Sequence, residues 1–555
     1  MYLYDEYDKE LLQRRLAQFR DQTNRFLAGE LDDDEYKQLR LRNGVYIQLH
    51  APMLRVAVPY GLFNSAQLRT MAEVAEQYDR GFGHMTTRQN IQYNWIPLEQ
   101  IPDVLEKFAE VDMHATQTSG NCIRNTTSDP LAGAVADEYE DPRPWCEFIR
   151  QWSTYHPEFN WLPRKFKIAV TGARNDRAAI EVHDIGLRLY HNDAGESVFD
   201  VWVGGGLGRT PHVGKQLRQA LNGTDLLSYL EATLRVWNRH GRRDNIYKAR
   251  IKILVNALGI DEFRRQVDAE WEVTRQHVNQ VTSADLDRMR DFFAVSLPAE
   301  DVLVATPTAG ESPRYAAWYK QNTREHKQAG YRVVMISLKS PRRPAGDITA
   351  EQMRGVAELA DAYTNGEIRS THDQNLVLAH VPVKNLGSLW QALDKLDLAV
   401  PNIGTLADMI VCPGLDYCSL ANASAIAIWN QMMERFDQLD YLHDLGDVIM
   451  RISGCMNACG HHHVADIGVL GVDKKGVEWY QLTLGGRSRE GSRIGKRLGP
   501  AIAKEEVAAT VEQILAVYLT NRQEQGEEQE SFVDTLDRIG MEPFQEQVYE
   551  TETAA

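Results

Sequence analysis

The chain repeats itself once. At a constant displacement of 285 residues, Gln67-Leu-Arg69 falls on Gln352-Met-Arg354, Tyr78 on Tyr363, Gly81 on Gly366, Thr86 on Thr371, Gln89-Asn90 on Gln374-Asn375 and Pro97 on Pro382. Over the window 67–97 the identity is 11 of 31 positions. Farther along, a displacement of 282 brings Gly172 onto Gly454 and Asp184-Ile-Gly186 onto Asp466-Ile-Gly468, and one of 281 brings Gly214-Lys215 onto Gly495-Lys496. So small a drift over so long a period means two copies of one unit of roughly 280 residues, not a short-period solenoid. Related halves tend to face one another, and the surface between them is a natural place for a cofactor.

Within each copy the pattern is a strand–helix–strand block followed by strands and glycine-rich turns. In the first, Met53-Leu-Arg-Val-Ala-Val58 reads as a strand, Leu68, Met71, Ala75 and Tyr78 mark one face of a helix, and Ile91-Gln-Tyr-Asn-Trp-Ile96 alternates as a strand should. Asn64/Gln67 is placed to cap that helix, and Thr349/Gln352 repeats the arrangement. Residues 1–45 are charged, with Leu11, Leu12, Leu16 and Phe19 at helical spacing, and form a lead-in. The division that follows is 46–115 and 326–400 for the two strand–helix–strand blocks, 116–290 and 401–555 for the lobes after them, and an irregular linker at 291–325. Near the end, Phe532, Leu536, Ile539 and Phe544 are spaced for a docking helix.

The copies differ in what they carry. Only the second has the pairs Cys412-Pro-Gly-Leu-Asp-Tyr-Cys418 and Cys455-Met-Asn-Ala-Cys459, followed by His461, His462 and His463. Four thiolates from two loops form a soft ligand set that suits zinc or an iron–sulfur cluster. The five-residue spacer of the first pair leans toward the larger object. Zinc, and unconnected core cysteines, remain open on spacing alone. Disulfides are unexpected without a secretion signal. Three consecutive histidines cannot all reach one ion from a regular element, and Cys122 and Cys146 have no partner in sequence.

The first copy carries charge instead. It has Thr86-Thr-Arg88 where the second has Thr371-His-Asp373, and it adds Arg124 and Leu162-Pro-Arg-Lys-Phe-Lys167. With 61 basic against 78 acidic residues the net charge is −17, so nucleic acid and anionic membranes are poor partners. Basic residues gathered in such a chain stand out. Lys165 and Lys167 lie two apart on an expected strand and share one face, so that with Arg88, Arg124 and Arg164 they offer an anion pocket; the alternative is a charged outer strand. Gly204-Gly-Gly-Leu-Gly208 matches no phosphate-loop pattern and reads as a structural turn. The stretch from Arg239 to Lys252 reads as a charged helix. No apolar run is long enough to span a membrane, and the start lacks the features of a signal peptide, which makes a cytoplasmic protein the expectation.

Taken together, the four cysteines, Thr87-Arg-Gln89, Arg124-Asn125 and Leu162-Pro-Arg-Lys-Phe-Lys167 closely resemble the sirohaem-containing sulfite and nitrite reductases, most of all the haemoprotein (beta) subunits of assimilatory sulfite reductases. The resemblance runs over nearly the whole chain, duplication included. It implies an α/β (α+β) fold in which a ferredoxin-like tandem and two further lobes enclose sirohaem and a [4Fe–4S] cluster. By the same resemblance Cys412, Cys418, Cys455 and Cys459 bind the cluster, and Cys459 also bridges to the sirohaem iron. Arg88, Arg124, Lys165 and Lys167 surround the substrate, and Thr116, Gln117, Thr118, Asn121 and Asn125, with Arg88 and Arg124, line the sirohaem. The activity implied is six-electron reduction of sulfite to sulfide, with nitrite reduction to ammonia as the nearest alternative and a non-catalytic zinc protein as one of another class. With no flavin or nicotinamide module, electrons come from outside, from a flavoprotein subunit or a ferredoxin.

Overall fold

A computed structural model describes residues 4–278, 280–299, 312–525 and 528–550. Two five-stranded antiparallel sheets lie at its centre, and each borrows its last strand from the other copy. The first runs Val45–Ile47, Pro52–Val56, Ile91–Tyr93, Phe82–Met85, Asp347–Thr349; the second runs Thr323–Glu325, Tyr331–Ile336, Leu376–Pro382, Glu367–Ser370, Leu62–Asn64. Asp347 pairs with His84, and Asn64 with Glu367. The borrowed strands occupy equivalent places in the repeat, so the exchange is reciprocal.

Each borrowed strand ends in a helix cap. Asn64 Oδ1 accepts from Gln67 N–H at 2.8 Å and Thr349 Oγ1 from Gln352 N–H at 3.2 Å, while both glutamine side chains accept from the cap N–H in return. The expected capping boxes are therefore present, and they start the helices Ser65–Gln77 and Ala350–Tyr363. These pack against each other, with Leu68, Met71, Ala75, Met353, Val356 and Ala360 in one core. Their outer edges carry a symmetric pair of ion pairs, Arg69 with Asp361 and Arg354 with Glu76. Both pairs are near half-exposed, and solvent screening leaves them little weight in stability. The lead-in helix Glu6–Leu27 buries Leu12, Leu16 and Phe19 in the same core.

Each lobe is a mixed sheet. In the first, Thr127–Ser128, Ile168–Thr171 and Ile185–His191 are parallel neighbours, followed by antiparallel Ser197–Val203 and Lys215–Asn222. In the second, Ile410–Val411, Met450–Ser453 and Ile467–Lys474 are parallel, followed by antiparallel Val477–Leu484. Each has its own core, around Trp145, Phe166 and Trp237 in one and around Trp429, Ile452 and Tyr480 in the other. Phe532, Leu536 and Phe544 dock on the second core, but on two helices, Phe532–Ile539 and Glu542–Gln545, where one was expected.

Two expectations change. The stretch 291–325 holds the helix Pro313–Asn322 and an edge strand; Trp318 is 0% exposed, which alone contributes about 3 kcal/mol. Residues 300–311 of that stretch lie outside the described part. The segment from Arg239 to Lys252 is not one charged helix: the helix Leu226–His240 ends at its start, and Lys252 is buried. Among the described residues no helix is long and apolar enough to cross a membrane.

Candidate functional site

Both cysteine pairs sit on loops that leave the second lobe at one end. Ile410–Val411 runs into Cys412 and Met450–Ser453 into Gly454 and Cys455, and the two strands are parallel neighbours. Glycine lets the loops touch. A β-carbon on Gly454 would lie 2.6 Å from Gly414 Cα and 2.5 Å from the Ala423 carbonyl oxygen. Gly454 N–H donates to the Cys412 sulfur at 3.1 Å, and its carbonyl accepts from the Asn422 and Ala423 N–H groups at 2.9 and 3.0 Å. Cys412 and Cys455 are buried, Cys418 half-buried and Cys459 exposed. Burial pushes the Cys412, Cys418 and Cys455 thiols up, and the Cys459 sulfur adds to each rise, so each of the three lies within electrostatic reach of Cys459. Among the described residues no three His, Cys, Asp or Glu side chains gather as the ligands of a single ion would. Sulfurs on one zinc stand about 3.8 Å apart. Gly454→Val is expected to keep the circular dichroism of the fold while the purified chain carries several-fold less iron; undiminished iron would show that loop contact is dispensable.

The Cys459 loop faces the cations of the first copy. Thr87 donates its hydroxyl to the Cys459 carbonyl at 3.0 Å, which brings the Arg88 turn against the cysteine loop. Arg88 reaches the first lobe, donating to Thr127 Oγ1 at 2.8 Å and the Asn125 carbonyl at 2.5 Å, while its Nε is buried without a partner. Arg124 donates to the Thr118 and Gly120 carbonyls at 2.7 and 2.8 Å. Lys165 and Lys167 lie just before the strand Ile168–Thr171, on either side of Phe166, which bridges to Ile123 and turns its ring toward Trp237. Alternation then turns both lysines the other way. Among the described residues neither ammonium, nor Arg164, has a hydrogen bond or ion pair.

The electrostatics follow. Burial, and then Arg124, lowers Lys165 to about 7. Burial, then Arg88 and Lys165, takes Lys167 well below an ordinary lysine. Burial and Arg124 bring even Arg88 down to about 9. In both lysines the Cys459 sulfur pulls the other way, so both ammonium groups lie within electrostatic reach of that thiol.

The residues expected to line a macrocycle are placed less simply. Gln117 donates to Ser153 Oγ at 3.0 Å and accepts from Thr154 at 2.8 Å; Thr118 donates to the Ala115 carbonyl at 2.6 Å; Asn125 donates to Val58 O at 2.8 Å and Asn90 Oδ1 at 2.7 Å. These side chains are committed to holding the loop that carries Arg124. Thr116 is half-buried beside Tyr155, and Asn121 is exposed. Other residues join the cavity that spacing did not single out. Arg55 is half-buried, its buried Nε has no partner among the described residues, and it feels Cys459 and Cys418; Arg250 is locked on Asp184 at 2.8 and 2.7 Å; Lys252 Nζ holds the Leu207 and Thr210 carbonyls of the glycine turn at 2.9 and 2.6 Å. The turn at Gly204–Gly208 is structural, as expected: a β-carbon on Gly205 would meet the Glu181 carbonyl at 2.3 Å. His463 joins the lobes through the Gly208 carbonyl at 3.1 Å, and neither ring nitrogen of the buried His462 has a partner.

A duplicated α/β chain that sets four thiols against a cavity of uncompensated cations has the makings of a metal-cluster redox enzyme for anions. Comparison with known proteins places it. The nitrite and sulphite reductase 4Fe-4S domain matches residues 119–275 and 448–554, and the nitrite/sulfite reductase ferredoxin-like half domain matches 48–111 and 326–396. The chain is 28% identical over 536 residues to a ferredoxin–nitrite reductase of Synechococcus elongatus, covering 92% of this chain and 96% of that one. It is 26% identical over 481 residues to sulfite reductase [ferredoxin] 1 of Mycolicibacterium paratuberculosis, covering 85% and 80%. The fold matches the Mycobacterium tuberculosis NirA protein with a TM-score of 0.76 at 24% identity, over 93% of this chain and 92% of that one. The protein belongs to the nitrite and sulfite reductase family, and it is an oxidoreductase whose cofactors are sirohaem and a [4Fe–4S] cluster.

The residues present fit both groups. The two touching loops would offer four sulfurs to the cluster, and the family match sets the zinc alternative aside. Sirohaem is a polycarboxylate, and the buried, partnerless Nε atoms of Arg55, Arg88 and Arg451 are donors that a carboxylate satisfies.

Proposed function

We propose that the protein reduces sulfite to sulfide with electrons from a ferredoxin. One observation carries the choice of anion: Arg88, Arg124, Arg164, Lys165 and Lys167 gather in a chain of charge −17 without a carboxylate partner among the described residues. That surplus suits sulfite, which carries up to two negative charges, better than the singly charged nitrite. Sirohaem and cluster, when bound, supply stored electrons and an iron for the anion. The chain supplies the rest. Arg88 and Arg124 hold oxyanion charge from fixed positions, and Lys165 and Lys167 hand protons to oxygen as each S–O bond breaks. Lys165, brought down to about 7, is a ready donor near neutral pH, and the hold of Lys167 on its proton is weakened in the same direction.

We place Cys412, Cys418, Cys455 and Cys459 as the cluster ligands, with Cys459, the exposed one, nearest the cationic cavity. The ferredoxin follows from the names of relatives such as the sulfite reductase [ferredoxin] above. The test is steady-state reduction of sulfite and of nitrite by the purified protein with reduced ferredoxin. A kcat/KM for sulfite at least tenfold above that for nitrite is expected. The reverse ranking would make it a nitrite reductase.

A further inference from the structure

The duplication repeats one further arrangement, built on two buried glutamines. Gln89 and Gln374 stand 285 residues apart, are 0% and 1% exposed, and adopt left-handed conformations with φ 59° and 62°. A residue with a side chain keeps that geometry only where its surroundings hold it there. Both side-chain amides bind backbone. Gln374 Oε1 accepts from Val411 N–H at 2.9 Å, while its Nε2 donates to the Val411 carbonyl at 3.2 Å and to the carbonyl of Met85, in the other copy, at 3.0 Å. Gln89 Oε1 accepts from Ser128 N–H at 3.0 Å, while its Nε2 donates to the Ser128 and Ser370 carbonyls, both at 3.0 Å. Met85 and Ser370 are themselves 285 residues apart. So are the glycines that leave the amides their room: a β-carbon on Gly346 would lie 2.9 Å from Gln374 Nε2, and one on Gly61 would lie 2.6 Å from Gln89 Nε2. Each glutamine is therefore a buried latch between the first strand of its own lobe and a sheet strand of the opposite half.

The latches differ in what lies beyond them. Past Ser128 the first copy continues into Asp129 and Pro130, whereas the residue after Val411 is Cys412. Cys412 N–H donates to the Ile452 carbonyl at 3.2 Å, and the Cys412 sulfur accepts from Gly454 N–H at 3.1 Å. The second latch thus grips the backbone one residue before a cysteine that is already tied to the other cysteine loop.

We propose that Gln374 is a positioning residue for the cluster: its amide holds Val411, and through it Cys412, against the opposite half, so that contact between the two copies sets the place of one ligand. A ligand whose backbone is pinned in advance has less freedom to lose on binding, and groups that orient a metal ligand slow the loss of its metal. The inference rests on Cys412 being one of the four ligands.

The test compares Gln374→Asn with Gln89→Asn in the full-length protein as purified. Asparagine accepts the left-handed backbone but falls one methylene short, so each variant opens one latch at a similar cost to the fold. Two quantities are read without turnover: deuterium uptake by the peptide that spans Val411, and the rate at which an iron chelator strips the protein. Gln374→Asn is expected to raise each by roughly tenfold. Gln89→Asn is expected to leave both at the wild-type value. Gln374→Met, which keeps the length and drops the amide, replaces the asparagine variant should that one not fold. Unchanged uptake or unchanged iron loss in a folded Gln374 variant overturns the proposal, as does equally fast iron loss from the Gln89 variant, which would mark a general loosening of the fold. A Cys412→Ser chain that keeps its iron would remove Cys412 from the ligand set and the proposal with it; that failure is distinguishable, because uptake at Val411 still answers to Gln374.

Discussion

Cys459→Ser is expected to give a folded protein that has lost its four-iron signal and its reduction of sulfite. Cys459 is the exposed member of the four, on a short loop whose preceding residue, Ala458, adopts φ 55°. Its side chain adds nothing to the core of the second lobe, so the melting temperature of the apo-protein should move by no more than a few degrees. A serine oxygen is a hard ligand in place of a soft one, and Cys412, Cys418 and Cys455 alone cannot complete the set. Turnover should fall on the order of a thousandfold or more, equivalent to about 4 kcal/mol of lost transition-state stabilisation. Iron and acid-labile sulfide analysis beside circular dichroism makes the measurement. A full complement of iron in the serine variant would remove Cys459 from the ligand set.

Lys167→Met should do the opposite to the cofactors and nearly the same to the rate. Methionine keeps most of the stem while removing an ammonium that burial, Arg88 and Lys165 all disfavour. Cofactor content should stay at the wild-type level, and the apo-protein should melt at an equal or higher temperature, because an unpaired, half-buried charge has gone. kcat for sulfite should drop by about a hundredfold to ten-thousandfold, the range of a single positioned proton donor. Near-normal turnover would take Lys167 out of the mechanism and leave Lys165 as the donor.

Much of this architecture was legible in the sequence because it is local or repeated. The duplication shows in matched residues, the caps in Asn64/Gln67 and Thr349/Gln352, and the cysteine loops in their spacing. What escaped depends on who lies next to whom. Nothing around Leu62 says that it will pair with Arg369 rather than with a strand of its own half. Gln117, Thr118 and Asn125 are polar residues in the right segment, but their partners Ser153, Arg55 and Val58 come from elsewhere in the fold. Lys252 looked like one more charge in a basic run. Only the folded chain shows its ammonium capped by the glycine-turn carbonyls. The helix at Pro313–Asn322 was hidden by the irregular sequence before it, although Tyr315 and Trp318, two and five residues after the proline that starts it, are a usable signal.

The reciprocal loan of edge strands has a consequence for how the protein is made. Leu62–Asn64 finds its partner only when Glu367–Ser370 exists, and Phe82–Met85 waits for Asp347–Thr349. Until the ribosome has passed those later strands, the first half presents a raw sheet edge, the kind of surface that recruits stray strands from neighbouring chains. Pairings this remote in sequence are slow to form. Neither half is thus a stable product of translation by itself, and the Cys455–Cys459 loop leaves the ribosome after both exchanged strands. A nascent chain can present all four cysteines only after both exchanged strands have been made.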